Sequence, residues 1–77
     1  MSDETNALVG HNVKTIRQTI GMRQEDLADV LKISQPHLSM LERGTRSWSM
    51  EMAAAAADAL KVDIRLLMPA SKPRRTA

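Results

Sequence analysis

Apolar residues recur at helical spacing through most of this chain. Val9, Val13, Ile16 and Ile20 stand three or four apart, which predicts a first helix starting near Thr5 or Asn6 and capped at Gly21. Between Gln24 and Arg43, Leu27, Leu31, Ile33, Leu38 and Leu41 describe two short helices bent across a tight corner, with Ala28 as the small residue on the inner stripe. Ser34 is suited to cap the second of these. Pro36 is tolerated in its first turn, where the missing N–H would have had no intrahelical partner. Ser49 predicts the cap of a fourth helix, with Glu51 favourable to the helix dipole and Met52, Ala56 and Leu60 on one face, running to about Lys61. Asp63 can cap a short fifth helix, Ile64 to Met68, which Pro69 stops. The remaining nine residues, PASKPRRTA, read as a mobile tail.

The predicted domain is therefore all-helical and spans residues 1–68, followed by a basic tail at 69–77. A hydrophobic content of 43% with only 1% aromatic residues agrees, because it suits small helices packed through Leu, Ile, Val, Met and Ala. At 77 residues the chain is near the size at which a single core barely offsets chain entropy, and it leaves no room for a second domain. There are no cysteines, and His11 and His37 are too few and too far apart to suggest a metal site, so no cofactor is expected. No apolar run approaches the roughly 20 residues that span a bilayer, and no signal-peptide core follows Met1, which points to the cytoplasm. An enzyme fits poorly, because no nucleophile, base and oxyanion donors assemble.

A net charge of +2 does not by itself imply nucleic acid, so the placement of charge has to decide. Glu25, Asp26 and Asp29 gather on the first helix of the bent pair. The second presents Gln35, Pro36, Ser39, Met40 and Arg43 opposite its core positions, a mostly small, polar or basic face that suits a DNA groove.

At these residues the chain resembles the Cro/repressor-type (Xre) helix-turn-helix regulators, from about Val9 to Met68. The matching elements are IRQTIGMRQEDLADVL, SQPHLSMLERG and MEMAAAAADALKV, in order and at the right spacing. The resemblance implies a compact five-helix DNA-binding domain, acting as a homodimer on a pseudo-palindromic operator, and more as repressor than activator. An antitoxin or other partner-binding module is the alternative, with DNA secondary. RNA polymerase or a toxin is then the protein partner to consider.

Within that framework Gln35 is the candidate to read a base, since an amide can bond two edge groups of adenine. Pro36 and Met40 offer apolar contact to a thymine methyl, and Ser39 can bond a base or a phosphate. Arg17, Arg23, Gln24, His37, Arg43, Thr45, Arg46 and Ser47 fall where relatives face the DNA backbone. Relatives also pair an arginine and a glutamate at the positions of Arg17 and Glu42, fixing the reading helix on the first helix. Two positions depart from the family. Arg23 stands where Ser or Thr normally caps, giving up about 1 kcal/mol unless phosphate recruits it. Lys32 stands at the corner where Gly often adopts a left-handed conformation, at about 1 kcal/mol.

The run Ala53–Ala57 leaves core volume missing where relatives carry larger aliphatic residues. Trp48 is a candidate to fold back and fill it; the rival placements are a subunit contact or the DNA. The expected dimer surface comprises Trp48, Ile64, Leu67 and Met68. His37 could instead pack or be solvated, and Lys72, Arg74 and Arg75 could either track DNA or only solubilise the terminus.

Overall fold

A computed structural model describes residues 2–69, and the tail cations Lys72, Arg74 and Arg75 lie outside the described residues. The described residues form four α-helices and one 3-10 turn, without a strand. The helices are α1 (Asp3–Thr19), α2 (Gln24–Leu31), α3 (Gln35–Arg43) and α4 (Met50–Leu60). The fifth helix expected at Ile64–Met68 is instead a single 3-10 turn, Ile64–Leu66. Asp63 caps it as expected, accepting the Arg65 N–H at 2.8 Å. The Arg65 guanidinium, and then that backbone N–H, hold the Asp63 carboxyl below the ordinary carboxylate range.

Local chemistry sets the ends of each helix. Ser2 caps α1 by accepting the Thr5 N–H at 3.1 Å, and Asp3 and Glu4 occupy the first turn, so this helix starts earlier than its apolar stripe indicates. Ser34 and Ser49 cap α3 and α4 by accepting the His37 and Met52 N–H groups. The four helices share one kind of exit, a left-handed residue followed by a backbone bond back to the last turn. Glycine serves at Gly21 (φ 76°) and Gly44 (φ 81°), but lysine serves at Lys32 and Lys61, both at φ 59°.

The core gathers Val9 and Val13 of α1, Leu27, Ala28 and Leu31 of α2, Leu38 and Leu41 of α3, and Ala53, Ala56, Ala57 and Leu60 of α4. Ile20 is not part of it. At 50% exposure this residue lies where the chain leaves α1, and the buried face runs instead through Asn6, Val9, Gly10, Val13 and Arg17. Two of those five are polar, so apolar spacing alone misplaces the face.

Trp48 joins the core at 2% exposure, beside the alanines of α4 in the same buried cluster. Its indole Nε1–H donates to the Leu41 carbonyl at 3.0 Å, which satisfies the one polar atom of its side chain. Leu67 is likewise fully buried, and Asn12 Nδ2 ties its carbonyl to α1 at 3.0 Å. Leu67 is expected on a dimer surface, and Trp48 either there or in the core volume left by the alanines; the structure takes the core placement for both. A side chain already buried within one chain has no area left for a second, so Trp48 and Leu67 are core residues.

Candidate nucleic acid interface

The bent pair is α2, the corner 32–34, and α3. Lys32 takes the left-handed conformation at that corner, and the Ile33 N–H reaches back to the Ala28 carbonyl at 3.0 Å. Leu38 and Leu41 turn inward at 0% and 1% exposure, leaving Gln35 and Pro36 exposed, with Ser39, Met40 and His37 half-buried beside them. All four proposed base readers thus lie on accessible parts of one short helix.

That helix sits unusually close to α1. A Cβ added at Gly10 would lie 2.2 Å from the Leu41 carbonyl oxygen and 2.8 Å from that of Glu42, and one at Gly44 would lie 2.7 Å from the Ala7 Cα. Main chain meets main chain at both places, so only glycine permits this spacing. Neither position is marked by apolar periodicity.

A chain of polar contacts runs from α1 to the start of α3. Arg17 grips Glu42 bidentately, Nε to Oε2 at 2.7 Å and Nη2 to Oε1 at 3.1 Å, and Arg17 Nη1 donates to the Met22 carbonyl at 2.9 Å. Both residues are buried, at 7% and 5% exposure, so neither charge would be tolerated alone. Gln24 Nε2 also donates to Glu42 Oε1 at 2.9 Å, and Gln24 Oε1 accepts from Gln35 Nε2 at 3.2 Å. Gln35 therefore starts α3 with its amide oriented by a partner that is itself anchored in the interior. An amide has two N–H donors and a carbonyl, so one donor given to Gln24 leaves a donor and the acceptor for a ligand.

Arg17 had been expected at the DNA backbone, but its guanidinium is buried against Glu42 and the Met22 carbonyl, so it acts as a brace. Gln24 likewise connects Glu42 to Gln35 as well as standing at the N-terminus of α2. Arg23 has a 75% exposed side chain that leans on Glu25 at 3.4 Å and Asp26 at 3.5 Å, and no side chain caps α2. After α3, Arg43, Arg46 and Ser47 are exposed, and the Thr45 hydroxyl donates to the Met40 carbonyl at 3.2 Å.

Asn6 was missed by sequence reasoning. Buried on α1 at 2% exposure, it accepts the backbone N–H of Trp48 at 2.8 Å across 42 residues of sequence. A polar residue in phase with Val9 and Val13 was the available signal. The exposed surface near the 3-10 turn also differs from expectation: Ile64 and Met68 are half-buried, whereas Leu66 is 59% exposed and Met50 60%.

Residues 13–67 match the family model described as Helix-turn-helix. The chain belongs to this helix-turn-helix family, of the Cro/repressor (Xre) type. Among solved structures, this family member is similar to the clp gene regulator ClgR from C. glutamicum, with 27% identity, a TM-score of 0.77 and 80% of each chain covered. It is also similar to the restriction-modification controller protein C.AhdI from Aeromonas hydrophila, with 27% identity and a TM-score of 0.74 over 80% of this chain and 94% of that one. The DNA-binding domain of BldD, at 24% identity and a TM-score of 0.77, shares the fold over 90% of this chain and 100% of that one. The curated proteins contain no significant match. Among the described residues, no helix is long and apolar enough to cross a membrane.

Proposed function

We propose that this helix-turn-helix protein is a sequence-specific DNA-binding transcriptional regulator that places α3 in the major groove. The observation that carries the reading is the braced amide of Gln35. A base-reading group is most selective when its orientation is fixed before binding, and here Gln24, Glu42 and Arg17 fix it from the core outward. Pro36 and Met40 add apolar contact on the same face, Ser39 adds a hydroxyl, and Arg23, Gln24, His37, Arg43, Thr45, Arg46 and Ser47 supply the surrounding backbone contacts.

One copy of so short a reading helix covers few base pairs. The protein is therefore proposed to act as a homodimer on a pseudo-palindromic operator whose half-sites lie about 34 Å apart, one helical turn. The exposed Leu66, with the half-buried Ile64 and Met68, is the surface proposed for that dimer. Repression follows when such an operator overlaps a promoter. The reading needs no cofactor or catalytic group, and it places the protein in the cytoplasm with the DNA.

Selection of bound sequences from a random DNA pool at two salt concentrations tests it. The expected product is a symmetric site, with a salt slope that counts the phosphates engaged. Gln35→Ala should retain the fold and lose about 1–3 kcal/mol of discrimination at one base position of each half-site. Failure of the native protein to enrich any sequence would overturn the proposal.

A further inference from the structure

The loop 45–47 that follows α3 is closed at both ends by buried hydrogen bonds or tight backbone turns. At its start, Gly44 sits against Ala7 of α1, and the Thr45 N–H and hydroxyl both bond the Met40 carbonyl, at 3.0 and 3.2 Å. At its end, Trp48 is held twice: its backbone N–H donates to Asn6 Oδ1 at 2.8 Å, and its indole Nε1–H donates to the Leu41 carbonyl at 3.0 Å. Asn6 and Trp48 are each 2% exposed. Arg46 and Ser47, between these fixed points, are exposed, and among the described residues their N–H groups make no backbone hydrogen bond.

The geometry points to Asn6 and Trp48 as positioning residues that hold Arg46 and Ser47 in place for phosphate contact; this rests on the proposal that α3 reads DNA. The two outward side chains and two adjacent N–H donors then form a preset cradle for one anionic oxygen cluster per protomer. Its position relative to α3 is fixed because Asn6 lies on α1, the same helix against which the α3 main chain is packed. Without the Asn6–Trp48 bond, Arg46 and Ser47 lose one of the anchors at the end of their loop, more of their order is imposed at the moment of binding, and phosphate binding there is weakened by that cost. Base reading by α3 is unaffected, because Gln35 is braced separately through Gln24 and Glu42.

A double-mutant cycle between Asn6→Leu and Arg46→Ala, read through the salt dependence of operator binding, tests this. In the native background Arg46→Ala should lower the slope of log K against log salt by about 0.9 for each phosphate that the arginine neutralises. In the Asn6→Leu background the slope should already be lowered, and Arg46→Ala should add little to it, while the preferred sequence stays the same. A role confined to stability would lower the melting temperature and leave the slope, and the full effect of Arg46→Ala, unchanged. That result would overturn the positioning role. If Asn6→Leu does not fold, Asn6→Ala replaces it in the same cycle, because it removes the Oδ1 acceptor of the Trp48 N–H without placing a larger apolar side chain at this buried position. Lack of any selective DNA binding by the native protein would refute the DNA reading itself, a different outcome from additive slopes.

Discussion

Removal of Arg17 should be strongly destabilising. In Arg17→Met, Glu42 keeps a carboxylate whose side chain is only 2% exposed, retains the single Gln24 donor, and gives up both guanidinium bonds; the Met22 carbonyl is deprived of its side-chain donor as well. Breaking a buried, hydrogen-bonded ion pair from one side costs about 3–5 kcal/mol. A chain of 77 residues has a total stability of roughly 4–12 kcal/mol, so the variant should give up a large share of it, and at the low end of that range would stand at its unfolding midpoint in water. Trp48 is the only aromatic residue and is buried, which makes urea denaturation followed by its fluorescence a direct assay. The pair Arg17→Met with Glu42→Leu removes both charges together and should return to within about 1–2 kcal/mol of the native protein, because apolar replacement of a whole buried pair is close to neutral. That double variant is the informative one for function. It restores the fold but leaves Gln24 without its anchor, so selective DNA binding should remain weak although the protein is folded. A loss below about 1 kcal/mol in Arg17→Met, or a double variant as unstable as the single, would refute the reasoning.

Three further outcomes follow from the same packing. Gly10→Ala should destabilise by about 1–3 kcal/mol despite the better helix propensity of alanine, because its Cβ would meet two backbone oxygens; thermal melting checks this, and an unchanged melting temperature would contradict the main-chain contact. Arg23→Ser should gain about 1 kcal/mol by capping α2, since the exposed pairs with Glu25 and Asp26 contribute little, and should weaken binding to all DNA sequences alike; equal affinity before and after would show that Arg23 meets no phosphate. Lys32→Gly should relieve the left-handed backbone for a net gain of up to about 1 kcal/mol after the entropy of glycine in the unfolded chain is subtracted, a difference measurable by urea denaturation.

The helices were legible in the sequence where they are marked by side chains with one strong local preference. Ser34, Ser49 and Asp63 cap their elements as their chemistry requires, Gly21 takes the left-handed exit, and the α2 and α3 core positions follow from leucines spaced three or four apart. The inner face of α1 was less legible, because Asn6, Gly10 and Arg17 are buried for reasons that hydrophobicity does not record: two satisfy buried polar groups across the fold and one provides room. Arg17 illustrates the limit, since its pairing with Glu42 was legible through family resemblance but its burial, and hence its withdrawal from the exposed face of the bent pair, was not. Trp48 and Leu67 show the same limit in reverse. A large apolar residue in a connecting segment of a small domain fits a subunit contact or the interior equally well on paper, and the Asn6, Leu41 and Asn12 hydrogen bonds that draw these two segments inward depend on residues up to 55 positions away.

The contact at Gly10 and Gly44 has a bearing on how such a protein can change its target. Because α1 and α3 touch through their backbones, the separation of the two helices is independent of every side chain on the outer face of α3. If α3 reads DNA as proposed, Pro36, Ser39 and Met40 can then be exchanged like type in a fixed frame, whereas a change at Gln35 also has to answer to Gln24 and the buried pair behind it.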